Sequence, residues 1–281
     1  MGEKVLTTTV DGLWVLQVLS GIEVVAPELG LRPHLPSVEP KQLALAHPVA
    51  AELRAQGVLN ESGDVDPIVL DWLTVLSRRD MALLAQLSFP DQIAAGRVLL
   101  ARYASWWVVI ERSAELIRIH GAGTAGAEGS ATLVIATEIE RLCGSRPPAR
   151  LRPVTLDASA VRAAATSRQA LRRFLQRQRL EADQMRILTQ LIDQQRTAQA
   201  ALVAIQSGAD AARPTRAHID RGAVTIIDTP EGRLVVEHLT YAGRVWLIVG
   251  PGTQSAIASA VGHMLRRLPA KEEWYSHRKA V

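Results

Sequence analysis

The sequence predicts an α+β protein with a central antiparallel sheet, quasi-twofold halves that each join a strand meander to a helix, and a helical bundle. Two groups of short apolar segments, interrupted by polar residues and joined by turns, are typical of antiparallel meanders. Each group ends at a similar glycine-containing junction, residues 121–124 and 250–253, and continues into a segment with apolar residues at helical spacing. This repeated order indicates an internal pseudo-twofold.

The first half, residues 1–150, begins with helices. Asp11 is placed to cap a helix, and four prolines between residues 27 and 40 then predict an extended crossing segment. Two further helices precede the meander, and a longer helix follows it. The expected helices span residues 48–57, 66–76 and 130–143, and the expected strands span residues 81–89, 97–103, 105–111 and 115–120.

The second half, residues 151–281, begins with a helical insert at 157–195, which we expect to form a small bundle against the sheet. Residues 206–215, rich in Gly, Ala and Asp, are the expected mobile loop. Because the sheets of the two halves could join or pack together, we expect a single domain over residues 1–281. The expected strands are 200–205, 224–227, 233–238 and 245–249, and a helix is expected at 253–268.

The composition is that of a globular protein, with 48% hydrophobic and 21% charged residues. No apolar run reaches the roughly 18 residues needed to span a membrane. The N-terminus leads into Thr7, Thr8 and Thr9 rather than into an apolar signal core. The single cysteine, Cys143, cannot form an internal disulfide, and we expect it to be a buried, inert thiol. These features predict a cytoplasmic protein with no membrane span.

Gly121, Gly123 and Gly126 form a G-x-G-x-x-G pattern between a strand and a helix, which leaves a nucleotide-binding enzyme as an alternative. The strand before the pattern closes an antiparallel meander, whereas a dinucleotide site needs a parallel strand–helix–strand unit. The sequence has no hydrolase motif, no metal-ligand spacing and no acid–base constellation. We therefore expect no catalytic residues, no metal and no cofactor.

The net charge is +4, and arginines concentrate between residues 162 and 186. This run leaves a basic nucleic-acid-binding protein as a second alternative. Glu181 and Asp183 interrupt the run, and Phe174 falls on an apolar helical stripe rather than in a position to stack on bases. We therefore expect no nucleic-acid partner.

Six tryptophans stand out against two phenylalanines and three tyrosines. Trp106 and Trp107 are neighbours on one expected strand, so their side chains point to opposite faces of the sheet. One of the two can enter the core. The other is either covered by the helical insert or exposed as a contact surface of the kind enriched at interfaces.

Short segments along nearly the whole chain resemble, in the same order, the motifs of a known family. They are residues 10–17, 26–33, 47–48, 57–58, 226–233, 251–253, 268–269 and 273–275. With these segments the chain resembles the EspG family of type VII (ESX) secretion chaperones from mycobacteria. Within the family it is most similar to the chaperone of the second ESX system.

The resemblance implies the same mixed fold and a binding function. A protein of this family would bind the helical tip of the PPE protein in a cytosolic PE–PPE heterodimer, keep the heterodimer soluble and direct it to its secretion system. The sheet, a loop between two early strands and the helical bundle would hold the tip. We expect a monomer that binds one heterodimer, with a dimer as the alternative.

Carried onto this chain, the resemblance places the binding loop at residues 89–96. We expect the loop to contribute partner contacts through Phe89, Asp91 and Gln92. Trp106 or Trp107 is expected to supply further apolar contact. A basic rim would select among similar partners by charge; its expected members are Arg97, Arg102, Arg172, Arg173 and Arg179.

Overall fold

The structure is a computed structural model that describes residues 4–90, 95–192, 196–208 and 217–279. Its strands are β1 (Val5–Thr9), β2 (Met81–Ser88), β3 (Gly96–Tyr103), β4 (Trp106–Ser113), β5 (Leu116–Thr124), β6 (Val154–Asp157), β7 (Ala198–Gln206), β8 (His218–Ile219), β9 (Val224–Thr229), β10 (Gly232–Tyr241) and β11 (Arg244–Pro251). Its α-helices are α1 (Val10–Ser20), α2 (Lys41–Ala46), α3 (Pro48–Ala55), α4 (Pro67–Arg78), α5 (Glu128–Cys143), α6 (Ala158–Ala164), α7 (Arg168–Arg177), α8 (Ala182–Thr189) and α9 (Gln254–Arg266).

The strands form one 11-stranded sheet in the order β1-β5-β4-β3-β2-β7-β9-β10-β11-β6, with β8 beside β7. At its centre β2 and β7 run antiparallel, from Met81 opposite Gln206 to Ser88 opposite Gln199. From this central pair one meander runs outward through β3, β4 and β5, and the other runs outward through β9, β10 and β11. The predicted α+β class, central antiparallel sheet and quasi-twofold repeat are confirmed.

The repeat extends further than the sequence predicted, because a strand of the sheet, β6, comes directly before the helices of the expected insert. β6 pairs with β11, with Val154 opposite Val249, at one end of the sheet. At the other end β1 pairs with β5, with Val5 opposite His120. Both edge strands lead directly into a helix, α1 or α6. The helices around 157–195 therefore follow β6 as α1 follows β1.

Local capping explains where the first helices begin. The N-cap of α1 is Thr9, whose hydroxyl accepts a hydrogen bond from the N–H of Gly12. The predicted cap, Asp11, lies instead in the first turn, where its carboxylate faces the positive end of the helix dipole. Asp66 caps α4 and Pro67 occupies its first turn, as the sequence indicated.

The core has three parts on the two faces of the sheet. One face of both halves packs against α5 and α9. On the other face, α1, α3 and α4 cover the first half, and α6, α7 and α8 cover the second half. Phe174 lies in this last cluster, as its helical stripe predicted. The helices on the second face thus form two separate layers, one over each meander.

The turn between β9 and β10 ties the two halves together. Gly232 has φ +121°, and a Cβ there would lie 2.8 Å from the backbone nitrogen of Ala149. The next residue, Arg233, donates two hydrogen bonds to the Asp228 carboxylate, at 2.7 and 2.8 Å. It also donates to the carbonyls of Cys143 and Gly144 at the end of α5, at 2.7 and 2.8 Å. This part of the 226–233 motif therefore has a structural role.

Candidate partner-binding surface

One face of the two central strands is only partly covered by the helical layers. We call Leu84, Gln86, Arg97, Ala201 and Val203 the central strip. Leu84 pairs with Val203, and Gln86 pairs with both Ala201 and Arg97, so all five lie on one face of the sheet. The three apolar side chains are half-buried, and Gln86 and Arg97 are exposed. The strip is an apolar surface with polar side chains at one end, which suits contact with a partner.

The structure decides between the alternatives for the tryptophan pair. Trp107 is 1% exposed and packs in the cluster beneath α5 and α9. Trp106 is 57% exposed, on the face that also carries the central strip. The helices around 157–195 pack over the second half and leave Trp106 uncovered. Trp106 is therefore a large exposed amphipathic side chain, a kind enriched at interfaces.

Arg102 does not lie on the surface, which corrects its expected place in the basic rim. It is 0% exposed, because its pairing opposite Trp107 turns it toward the α5–α9 face. It donates hydrogen bonds to the carbonyls of Ala104, at 2.7 Å, and His277, at 2.6 Å. Burial lowers its pKa to about 10, although the nearby Asp80 carboxylate acts in the opposite direction. Arg102 fastens the C-terminal segment to the sheet.

The loop expected at residues 89–96 is described only at its ends. Phe89 is half-buried and shares a small pocket with Leu142 and Cys143 at the end of α5. It therefore packs on the face opposite the central strip. Asp91 and Gln92 lie outside the described residues.

The arginines of α7 and the turn after it form an exposed basic surface. Arg172, Arg173 and Arg179 are all exposed. The buried face of the helix is apolar, with Leu171 and Phe174 in the core, so the arginines occupy its solvent side. Within the described ranges, no carboxylate lies within ion-pairing distance of these three arginines. The structure therefore groups these three, and separates them from Arg97 on the central strip.

Within the Gly121–Gly126 pattern, Gly121 has a packing role, whereas Gly123 and Gly126 have open space around them. Gly121 lies in β5, antiparallel to β4, at a bulge where the register shifts between Trp107 and Val108. A Cβ on Gly121 would lie 3.3 Å from the indole nitrogen of Trp72 on α4, which is a tight contact. The antiparallel setting does not provide the parallel unit of a dinucleotide site, so the geometry gives no support to the nucleotide-binding alternative.

Among the described residues, no group of three His, Cys, Asp or Glu side chains could hold a metal ion. No helix among them is long and apolar enough to cross a membrane. Burial raises the pKa of the half-buried Cys143 thiol, which disfavours the reactive thiolate.

A partly buried charge cluster between α5 and the outer strands was not predicted from the sequence. His120 directs Nδ1 to the carbonyl of Gly121, at 3.2 Å. Its Nε2 lies 3.8 Å from the carboxylate of Glu111 and 4.0 Å from that of Glu138. Arg141 pairs with both carboxylates, at 2.8 Å each. Because these residues are far apart in sequence, only the alternation of β4 and β5 and the helical face of α5 hint at the cluster.

Burial of His120 disfavours its charged form, but three interactions outweigh that cost. The close contact with the Glu111 carboxylate, the hydrogen bond to the Gly121 carbonyl and the charge of Glu138 together raise the pKa of His120. The same contact with His120 is the largest cause that lowers the pKa of Glu111. A protonated His120 leaves two negative and two positive charges in the cluster.

Comparisons with known proteins agree with this fold. The sequence matches the EspG family over residues 9–263. The ESX-2 secretion-associated protein EspG2 of Mycobacterium tuberculosis H37Rv is 46% identical over 276 residues, which cover 98% of this chain and 100% of the relative. The ESX-3 secretion-associated protein EspG3 of Mycolicibacterium smegmatis is 30% identical over 277 residues, which cover 96% of this chain and 89% of the relative.

A solved structure shares the fold along the whole chain. It is the Mycobacterium tuberculosis type VII secretion system chaperone EspG5 in complex with the PE25–PPE41 dimer. The likeness has a TM-score of 0.74 at 23% identity and covers 98% of this chain and 100% of the EspG5 chain.

Proposed function

This chain belongs to the EspG family, and from that premise we propose that it is a cytosolic chaperone for PE–PPE heterodimers. It binds the helical tip of the PPE protein, keeps the pair soluble and directs it to an ESX type VII secretion system, the second one by its likeness to EspG2. The observation that carries this proposal is the full-length fold shared with EspG5, which was solved bound to a PE25–PPE41 dimer.

The open face of the sheet supplies the apolar part of the proposed contact. The tip of a long helical client exposes apolar side chains, which would otherwise promote aggregation. Leu84 and Val203 of the central strip are half-buried, and Trp106 is exposed on the same face. Covering such side chains removes apolar area from water on both partners, which favours association.

Charged side chains around this face would select the client. Arg97 lies at the edge of the central strip, and Arg172, Arg173 and Arg179 lie on the second helical layer. Exposed arginines contribute more to the association rate and to the choice of partner than to affinity. The 89–96 loop would add contacts through Asp91 and Gln92. Trp107 and Arg102 are buried and support the sheet from behind.

The proposed role is non-catalytic and requires no cofactor. A chaperone of this kind needs only a complementary surface, because binding the folded client is its activity. One copy of the chain would bind one heterodimer.

Co-expression tests the proposal directly. This chain would be produced together with each PE–PPE pair of the same genome, purified through a tag on this chain, and sized. We expect one pair to form a stable ternary complex. A well-folded chain that retains no pair would contradict the proposed function.

An exposed tryptophan provides a matched probe of the surface. Trp106→Ala should weaken capture of the client without loss of stability, because Trp106 is 57% exposed. Leu116→Ala is a suitable control, since Leu116 is also exposed, at 46%, but lies at the far end of the β4–β5 hairpin. Equal capture by the Trp106 variant and the wild type would remove Trp106 from the contact surface.

A further inference from the structure

The helices α7 and α8 border an open cleft of about 670 Å³ on the second helical layer. We call this the α7–α8 cleft. Side chains from the start of α7 form one wall, and side chains from α8 and the turn after it form the other. The lining residues are Arg168, Gln169, Arg172, Ala182, Met185, Arg186, Thr189 and Gln190.

Of the three arginines in the cleft, two are free to bind a ligand. Arg186 is already paired with the carboxylates of Glu231 and Asp183. Arg168 and Arg172 are exposed, and neither has a hydrogen-bonding or ion-pairing partner anywhere in the described ranges. The cleft therefore presents two unpaired guanidinium groups.

Pairing is common for arginines elsewhere in this protein. Arg79 pairs with Glu28 and Arg278 with Asp80, and several others do the same. They include Arg32, Arg112, Arg141, Arg152, Arg233, Arg266 and Arg267. Other exposed arginines, such as Arg97, Arg118 and Arg177, also lack an ion-pair partner in the described ranges; Arg168 and Arg172 differ from them in lining the same cleft.

Arg168 and Arg172 are one helical turn apart, so their side chains are neighbours on the same side of α7. Like charges at this spacing repel each other, which disfavours the arrangement in the free protein. A carboxylate placed between two guanidinium groups removes the repulsion and can accept several charge-assisted hydrogen bonds. The chemistry of the cleft thus fits a carboxylate-bearing ligand.

Two features favour an acidic protein segment over nucleic acid. The lining includes no aromatic side chain on which a base could stack. The Glu231 and Asp183 carboxylates beside Arg186 would also repel a continuous phosphate backbone. A protein segment can place one or two carboxylates on Arg168 and Arg172 and avoid this negative edge.

We propose that the α7–α8 cleft binds an acidic segment of the client and selects clients that carry it, with Arg168 and Arg172 as the residues that hold the carboxylates. This inference rests on the proposed chaperone function and deepens it. It distinguishes Arg172 from Arg173, which follows it on the helix but does not line the cleft.

The first test measures the affinity of the client pair retained in co-expression, at about 50 mM and about 200 mM salt. Arg168→Glu with Arg172→Glu should weaken binding at least about tenfold at the lower salt, and the difference should shrink at the higher salt. Arg177→Glu is the matched control, because Arg177 is exposed on the same helix and lies outside the cleft. We expect it to bind within about twofold of the wild type.

A double variant that binds the client as tightly as the Arg177 variant would overturn the inference and leave the chaperone function intact. A second probe, fluorescently labelled poly-glutamate, tests the cleft without the client. The wild type and the Arg177 variant should bind it, and the Arg168/Arg172 variant should not. Equal binding by all three, or a preference for single-stranded DNA over poly-glutamate, would refute the acidic-segment assignment even if no client pair were retained.

Discussion

Replacing Arg233 should destabilise the whole chain, because this residue connects the β9–β10 turn to the end of α5. Arg233→Ala removes four hydrogen bonds, two to Asp228 and one each to the carbonyls of Cys143 and Gly144. The Arg233 side chain is only 7% exposed and that of Asp228 only 18%, so water replaces few of the lost contacts. Removing one partner of such a pair costs about 3–5 kcal/mol.

That cost is a large fraction of the free energy of unfolding, which is about 5–15 kcal/mol for a typical domain. Arg233→Lys should cost less, about 2 kcal/mol, because lysine keeps the positive charge. Its single ammonium group cannot replace the planar guanidinium group, which bonds Asp228 and both carbonyls at once. Urea unfolding followed by tryptophan fluorescence measures both variants. Arg177→Ala, at an exposed position, serves as the control and should change stability by no more than about 0.5 kcal/mol.

The assay has a clear refuting result. If Arg233→Ala lowered the free energy of unfolding by less than about 1 kcal/mol with an unchanged denaturant slope, the turn would not be an important link between the halves. A change in the denaturant slope alone, with the free energy of unfolding unchanged, would instead indicate a change in the unfolded state.

Three further predictions concern single residues. Since the pKa of His120 is raised above 6.5, its contribution to stability is complete below pH 6.5 and is lost as the pH rises through the folded-state pKa. Urea unfolding of His120→Gln at a series of pH values should lack this decline, and a decline as large as that of the wild type would contradict the prediction. The N–H of Leu35 and the ring of His34 lower the pKa of Glu39 from 4.5 to about 2. The stabilisation from ionised Glu39 is therefore present above pH 4.5 and is lost as the pH falls toward about 2. In acid unfolding, the stability of Glu39→Gln should depend less on pH than that of the wild type. Gly232→Ala should lower the unfolding free energy by about 1–3 kcal/mol or more, because it combines positive φ with a backbone clash; a neutral thermal-melt result would refute this.

Much of the fold follows from sequence periodicity, and the parts that do not have a common cause. All eight strands of the two meanders were predicted, with every end within about four residues of the observed one, because each strand has an alternating or apolar pattern between clear turn signals. The edge strands β1 and β6 were not predicted. They are short, at 5 and 4 residues, and carry a pattern too brief to distinguish from loop.

The candidate site was harder to predict, because side-chain direction depends on packing partners far away in sequence. Alternation placed Trp106 and Trp107 on opposite faces, but only the position of α5 and α9 decides that Trp107 is buried. Arg102 shows the same limit. An arginine in a strand is most often a surface residue, and its burial here depends on backbone carbonyls of the C-terminal segment, including that of His277.

The two halves share a topology but present different helical layers on the open face of the sheet. Over the first half, α4 exposes apolar side chains, with Ile68 at 48% and Leu70 at 37% exposure. Over the second half, α7 exposes unpaired arginines such as Arg172. We propose that the two helical layers flank the bound client. A client with an acidic side and an apolar side would then have a single favourable orientation, and the departure from internal symmetry would supply specificity.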